Sequence, residues 1–232
     1  MHYAVSDVHG CYDLYLALLK EISFSDSDTL FFLGDAADRG PDGIDVMKDL
    51  MRRPNVICLL GNHEDMFRRT ARAWGKKLSW NEGIEWNQTF VNWTERNGGD
   101  VTWAAYLALP EEERRELLAW MEGLPTWYEI AVNGRAFLLA HAGVGAYRRE
   151  KKLETCDYID FIWERMDYDR TYYRKKLLVT GHTPTALIDP AYLGHILQRN
   201  NHIAIDCGAV FRGTLGCVCL ETLEEFYVSN RE

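Results

Sequence analysis

The chain has 232 residues, 47% of them hydrophobic and 26% charged, with a formal net charge of −9. That length lets one domain enclose a sizeable core, and that composition excludes a disordered, collagen-like or disulfide-scaffold chain. The acidic balance argues against bulk electrostatic capture of nucleic acid or an anionic membrane, so an anionic substrate must be drawn locally.

The opening segment MHYAVSDVHG enters an apolar stretch at once, with no basic region followed by an apolar run, and no apolar run reaches membrane-spanning length. A cytoplasmic protein is the expectation. Residues 3 to 5 read as a buried strand, and Leu14, Leu18, Leu19 and Ile22 recur at helical spacing over 11 to 22. TLFFLG (29 to 34) is the next strand, followed by a helix over 41 to 51 with Pro41 as its first residue and Ile44, Val46, Met47 and Leu50 on its buried side. NVICLLG (55 to 61) is the third strand. This alternation is the repeat of a parallel α/β sheet with right-handed crossovers.

From about 66 to 128 the pattern turns polar, tryptophan-rich and helical, and reads as an insertion within one domain spanning 1–232. Its last part, PEEERRELLAWMEGL, has Pro110 at the helix start, acidic residues in the first turn and Gly123 as a stop. WYEIAV, GRAFLLAHAG, KLLVTGH, NHIAIDCG and TLGCVCLE then follow as strand candidates, and their close succession suggests antiparallel additions forming a second sheet. Cys11, Cys58, Cys156, Cys207, Cys217 and Cys219 form no CxxC pair and are expected to be passive; Cys217 and Cys219 should share one strand face.

Polar residues stand where the strands end: Asp7 and His9 after the first, Asp35 after the second, Asn62 and His63 after the third, roughly one βα unit apart. They should therefore recur at one sheet edge. His141 after FLLA and His182 after LLVT repeat the arrangement. Carboxylate, imidazole and amide donors without thiolates suit hard or borderline divalent metals such as manganese, iron or zinc, and the ligands are too many for one ion. Each element alone has a bland alternative: Asp7 and His9 as a turn, Asn62 as a helix cap completed by Asp65, His141 and His182 as loop histidines bonded to backbone. Their joint occurrence at strand ends favours ligation.

The segments DVHG (7 to 10), GDAADRG (34 to 40), GNHE (61 to 64), HAG (141 to 143) and GHTP (181 to 184) resemble the motif series of the phosphoprotein phosphatase family within the calcineurin-like metallophosphoesterases, most of all its bacterial and phage members. With the terminal DCGAVF (206 to 211), the likeness covers nearly the whole chain outside the tryptophan-rich insertion. It implies a four-layer αββα sandwich and a two-metal cleft, with Asp7 and His9 on the first metal, Asp35 bridging, and Asn62, His141 and His182 on the second. Manganese is the expected metal, with iron or zinc as alternatives. The resemblance further implies that Arg39 grips phosphate oxygens together with Asn62 and His63, that Arg165 of IWER does the same, and that His63, oriented by Asp38, donates a proton to the leaving oxygen. The reaction so implied is in-line attack on phosphorus by a metal-bridging hydroxide, without a phosphoenzyme. For Arg39 and Arg165 the alternative is a surface arginine, and for His63 a polar helix-start histidine.

A phosphoserine, phosphothreonine or phosphotyrosine protein or peptide is the expected substrate, acted on by a monomer with neither nucleic acid nor membrane as partner. Two departures keep a second substrate open: Leu60 precedes GNHE where many protein phosphatases carry arginine, and Trp74, Trp80, Trp86, Trp93 and Trp103 offer aromatic surface for a nucleobase. A dinucleoside polyphosphate hydrolase of the same superfamily is thus the runner-up, although symmetrical hydrolases usually carry alanine where Asp38 stands. A catalytically inactive binding module is the third reading, disfavoured by the intact ligand set. For the tryptophans, packing within the insertion is preferred.

Overall fold

A computed structural model describes residues 1–145 and 152–230. Strand β1 (His2–Val5) leads into α1 (Tyr12–Glu21), β2 (Thr29–Phe32), α2 (Gly43–Arg52) and β3 (Val56–Cys58). β1 pairs parallel with β2, and β2 with β3, which is the expected crossover repeat. Leu14, Leu18, Leu19, Ile22, Ile44, Val46, Met47 and Leu50 are all buried, as their spacing requires. Pro41, however, does not begin α2. The His9 and Gly10 carbonyls accept from the Gly40 and Asp42 N–H groups at 3.0 and 3.2 Å, which holds residues 40–42 as a turn.

Four helices follow before the next strand: α3 (Asn62–Ala73), α4 (Trp80–Val91), α5 (Asp100–Ala108) and α6 (Glu111–Glu122), with a π-helical turn, Asn92–Arg96, after α4. α6 begins after Pro110 with Glu111, Glu112 and Glu113 at the positive end of its dipole and closes at Gly123. Trp93 and Trp103 are buried here, and the Trp86 indole donates to the Thr70 carbonyl at 3.0 Å and stacks on Phe90. Packing accounts for these three. Trp80, 83% exposed, faces solvent instead.

The rest of the chain supplies β4 (Trp127–Val132), β5 (Arg135–Ala140), α7 (Ile159–Ile162), β6 (Lys176–Thr180), α8 (Thr185–Ile188), β7 (Leu197–Arg199), β8 (His202–Ala204), α9 (Ala209–Arg212), β9 (Thr214–Cys219) and β10 (Glu225–Ser229). Two five-stranded sheets result, ordered β10-β9-β1-β2-β3 and β4-β5-β6-β8-β7. The second sheet is not antiparallel throughout, as expected from strand succession: β5 with β6 and β6 with β8 are parallel, because their connections are long enough to cross over and carry α7 and α8. Nor does TLGCVC belong to it. That segment is β9, which returns to the first sheet and pairs antiparallel with β1.

Side-chain alternation explains the layering. Tyr3, Val5, Leu30, Phe32, Cys217 and Cys219 pack toward α1, α2 and the later helices, so the two cysteines do share a face. Ala4, Phe31, Leu33 and Val218 point the other way and meet Phe137, Leu139, Val179 and Ile203 between the sheets. Leu138, Ala140, Leu178 and Ala204 cover the far side of the second sheet against Phe161, Ile162 and Tyr168. The architecture is an αββα sandwich. Each fully buried phenylalanine in these layers contributes about 1.5–3 kcal/mol relative to exposure. Among the described residues no helix is long and apolar enough to cross a membrane.

Candidate metal centre

Because β1, β2 and β3 run parallel, their C-terminal ends meet at one edge, and the loops beyond them carry Asp7 and His9, Asp35, then Asn62 and His63. The ends of β5 and β6 bring His141 and His182 to the same place. Backbone bonds tie the first two loops: Asp7 N–H donates to the Gly34 carbonyl at 3.1 Å and His9 N–H to the Asp35 carbonyl at 3.0 Å. Asp7, His9, Asp35, Asp38, Arg39 and His182 all have left-handed backbones, with φ of 52°, 47°, 61°, 73°, 67° and 63°. Such a conformation costs a non-glycine residue about 1–3 kcal/mol and persists only where surroundings enforce it. The loops also touch one another closely: a Cβ on Gly61 would stand 2.2 Å from Asp35 Oδ1, and one on Gly181 2.1 Å from Asp7 Oδ2.

Asn62 is the first residue of α3, not its cap. Glu64 rather than Asp65 reaches back: its Oε2 accepts from the Gly61 and Asp35 N–H groups at 3.1 and 2.8 Å, and its Oε1 from Ala36 N–H at 2.8 Å. The buried Glu64 carboxylate therefore fixes the turn bearing Asp35 while Asn62 is left to face the site.

All six candidate ligands converge. His141 Nε2 lies 2.9 Å from Asn62 Oδ1 and 3.4 Å from Asp35 Oδ1, and His182 Nδ1 lies 3.0 Å from the same Asn62 oxygen. His9 Nε2 is 3.5 Å from Asp35 Oδ2 and 3.9 Å from Asp7 Oδ1. Asp7 Oδ2 accepts from His182 N–H at 2.9 Å. Asp35 thus presents one oxygen to each side. The imidazoles are oriented from behind: His9 Nδ1–H donates to the Ala37 carbonyl at 2.9 Å and His141 Nδ1–H to the Leu33 carbonyl at 2.7 Å. A carbonyl only accepts, so each ring keeps its Nε2 unprotonated and facing the site, beside Asp35.

The electrostatics suit cations. Burial, then neighbouring positive groups, holds His9 and His182 neutral, with the His182 pKa lowered to about 2. Burial, then repulsion from Asp7 and Glu64, raises the Asp35 carboxyl well above its ordinary range. Asp206, at the end of β8 and also buried, is raised by burial and then by Asp7. Neutral imidazoles beside crowded carboxylates are the forms that bind a divalent ion. His9, Asp35 and His63 form one cluster within ligand reach, and Asp35, His141 and His182 another.

Behind this face lies a second group. His63 Nδ1–H donates to Asp38 Oδ2 at 2.6 Å, and both residues are buried. Burial lifts the Asp38 pKa to about 7, against the lowering effect of the neighbouring Thr102 hydroxyl and of the Trp93 N–H. The Arg39 guanidinium spans His9 Nε2 and His63 Nε2, the latter at 3.0 Å, and its central carbon lies over the Phe211 ring, 5.1 Å from the centroid. Arg165 Nη1 reaches Thr183 Oγ1 at 3.4 Å, next to His182. Glu64, Trp93, Thr102 and Asp206 were not anticipated. Two carried a readable signal: Glu64 as the last residue of GNHE, and Asp206 as an aspartate just after an apolar strand.

A family model described as calcineurin-like phosphoesterase matches residues 3–213. The chain belongs to the calcineurin-like phosphoesterase family. Among curated relatives of this phosphoesterase, the asymmetrical bis(5'-nucleosyl)-tetraphosphatase PrpE of Bacillus velezensis is 30% identical, over 91% of this chain and 85% of its own. Serine/threonine-protein phosphatase 1 of Salmonella typhimurium is 29% identical, over 92% and 88%. A solved structure of a proposed diadenosine tetraphosphatase superposes with a TM-score of 0.70 at 18% identity, covering all of this chain and 94% of its own, and so supports the fold. The expected likeness to phosphoprotein phosphatases holds at the level of the family, as does enzymatic phosphoester hydrolysis. The calcineurin-like phosphoesterases use divalent metal ions, and the donor set described above fits them.

A pH dependence follows. Asp35, Asp38 and Asp206 bind protons more tightly in the folded chain than in the unfolded one, so they favour folding at low pH. That contribution declines as pH rises from the ordinary carboxylate range through the folded values, about 7 for Asp38. His9, His63, His182 and His202, kept neutral by burial, act in the opposite sense up to the ordinary histidine range, so without metal Tm should fall only above it, between about pH 7 and pH 8. Added manganese should raise Tm more at the higher pH, where ligands need not lose protons. Thermal scans with manganese or with chelator check this, and equal shifts at both pH values would count against carboxylate ligation.

Proposed function

We propose that the protein is a cytoplasmic, monomeric phosphoprotein phosphatase, hydrolysing phosphoserine and phosphothreonine monoesters, and phosphotyrosine as well, with two manganese ions. In this reading Asp7 and His9 hold one cation, Asn62, His141 and His182 the other, and Asp35 both. When bound, the cations supply an acidified water as nucleophile and positive charge against the phosphoryl oxygens. Arg39 and Arg165 bind those oxygens, and bidentate guanidinium contact suits a pair of them. Asn62 and His63 complete the phosphoryl cradle. In this structure His63 Nε2 accepts from Arg39, and burial and then Arg39 hold the ring neutral; with Arg39 drawn onto the phosphoryl oxygens, His63 would take up a proton at Nε2 and give it to the departing oxygen, while Asp38 holds the ring by Nδ1.

The Asp38–His63 pair is the observation that carries the substrate class. A serine or threonine alkoxide is a strong base and leaves poorly without a proton, whereas a nucleotide leaving group departs as an already weak base. A buried carboxylate placed 2.6 Å from the imidazole of His63 serves the first reaction and is superfluous in the second.

The names of relatives favour a second reading. Tetraphosphatases and protein phosphatases stand at nearly equal identity to this chain, so hydrolysis of dinucleoside polyphosphates is the alternative. Rates on a phosphoserine peptide and on diadenosine tetraphosphate, measured side by side with manganese, separate the two. We expect kcat/KM to favour the peptide, and preference for the dinucleotide overturns that choice. Failure to hydrolyse p-nitrophenyl phosphate with manganese, iron or zinc would point instead to an inactive binding module.

A further inference from the structure

Trp93 is far in sequence from every strand-end motif, yet its indole closes the back of the site. It is fully buried, and its Nε1–H donates to Asp38 Oδ2 at 2.6 Å, the same oxygen that accepts from His63. Two more bonds of this kind hold the turn: Asp38 N–H donates to Thr102 Oγ1 at 2.9 Å, and Arg39 N–H to the Gly98 carbonyl at 2.8 Å. Asp38 and Arg39 are consecutive left-handed residues, so their turn needs outside support. All three supports come from residues 93 to 102.

The local backbone accommodates that indole. Asn92–Arg96 forms a π-helical turn, a device that re-aims a side chain within a helix. A Cβ on Gly99 would stand 2.2 Å from Trp93 Nε1, so the chain can pass the indole only with glycine at that position. Phe67 stacks on the ring at 5.1 Å and Trp103 meets it edge-on at 5.9 Å.

We propose that Trp93 is a positioning residue for the Asp38–His63 pair, its indole N–H holding Asp38 Oδ2 where it aims the imidazole Nε2 at the leaving oxygen. This rests on His63 being the proton donor. An aspartate's terminal torsion is broad, so the carboxylate does not orient itself. An indole fits this role because it only donates, carries no charge and cannot take the proton from the imidazole. A hydroxyl would rotate and could accept instead.

The test replaces Trp93 by phenylalanine and, to keep the ring shape while deleting only the N–H, by 3-benzothienylalanine. With manganese content unchanged, kcat on a phosphoserine peptide should fall about 10- to 100-fold with KM within about 3-fold, while p-nitrophenyl phosphate turnover should fall by no more than about 3-fold. The His63 Nδ1–H proton resonance should also move. Equal losses on both esters, or no loss on the peptide, overturn the proposal. Running His63→Asn alongside keeps two failures apart. If that variant discriminates between the esters and the Trp93 variants do not, the positioning role falls and the acid role stands. If His63→Asn does not discriminate, the acid role falls, and an unmoved Nδ1–H resonance in the benzothienyl variant then removes the positioning role as well.

Discussion

Asp35→Asn is expected to lower turnover on any phosphomonoester by about three orders of magnitude, the scale of several kcal/mol of lost charge stabilisation. The reason is geometric as well as electrostatic. Asp35 Oδ1 faces His141 at 3.4 Å while Oδ2 faces His9 at 3.5 Å, so one carboxylate addresses both halves of the ligand set. An asparagine offers one carbonyl oxygen and an N–H2 group that repels a cation. The fold should survive, because the amide oxygen can still accept from His63 N–H as Oδ1 does at 3.1 Å. Burial also disfavours the charged form of Asp35, so the metal-free variant should melt no lower than the parent. Loss of the manganese-induced rise in Tm, with the metal-free Tm retained, is the signature to measure. A variant that keeps both turnover and that rise would remove Asp35 from the centre.

His63→Asn should act differently. Proton donation contributes typically about 10²- to 10⁴-fold, and it matters in proportion to the basicity of the departing oxygen. Turnover of a phosphoserine peptide should therefore fall by about 10²-fold or more, while an activated aryl ester such as p-nitrophenyl phosphate should lose about 10-fold or less. Metal content should not change, since His63 Nδ1 is committed to Asp38 and the adjacent Asn62 is retained. Parallel losses on the two esters would mean that His63 supports the site without giving up a proton.

The first three strands and both helices between them were legible because their apolar residues repeat at the periods their burial demands. The strand-end residues were legible for a related reason. Once β1, β2 and β3 are parallel, whatever follows each strand must meet at one edge, which brings Asp7, Asp35 and Asn62 together without any knowledge of pairing partners. Pairing itself was not legible beyond that point. TLGCVC has the same alternation whichever sheet it joins, and its place beside β1 is fixed by a return across the molecule. β7, three residues long, has no period to read. Trp93 shows the same limit at the site. Nothing in its local sequence distinguishes it from Trp86, and only the π-helical turn and Gly99 direct its indole to Asp38. Glu64 was visible within GNHE but its work, holding the backbone of Asp35, Ala36 and Gly61, depends on a loop 28 residues earlier.

Anomalous diffraction from crystals soaked in manganese chloride tests the paired-cation centre most directly. Two peaks about 3.5–4 Å apart are predicted, with the Asp35 carboxylate between them, Asp7 and His9 on one, and Asn62, His141 and His182 on the other. A single peak, or peaks away from these side chains, would contradict it.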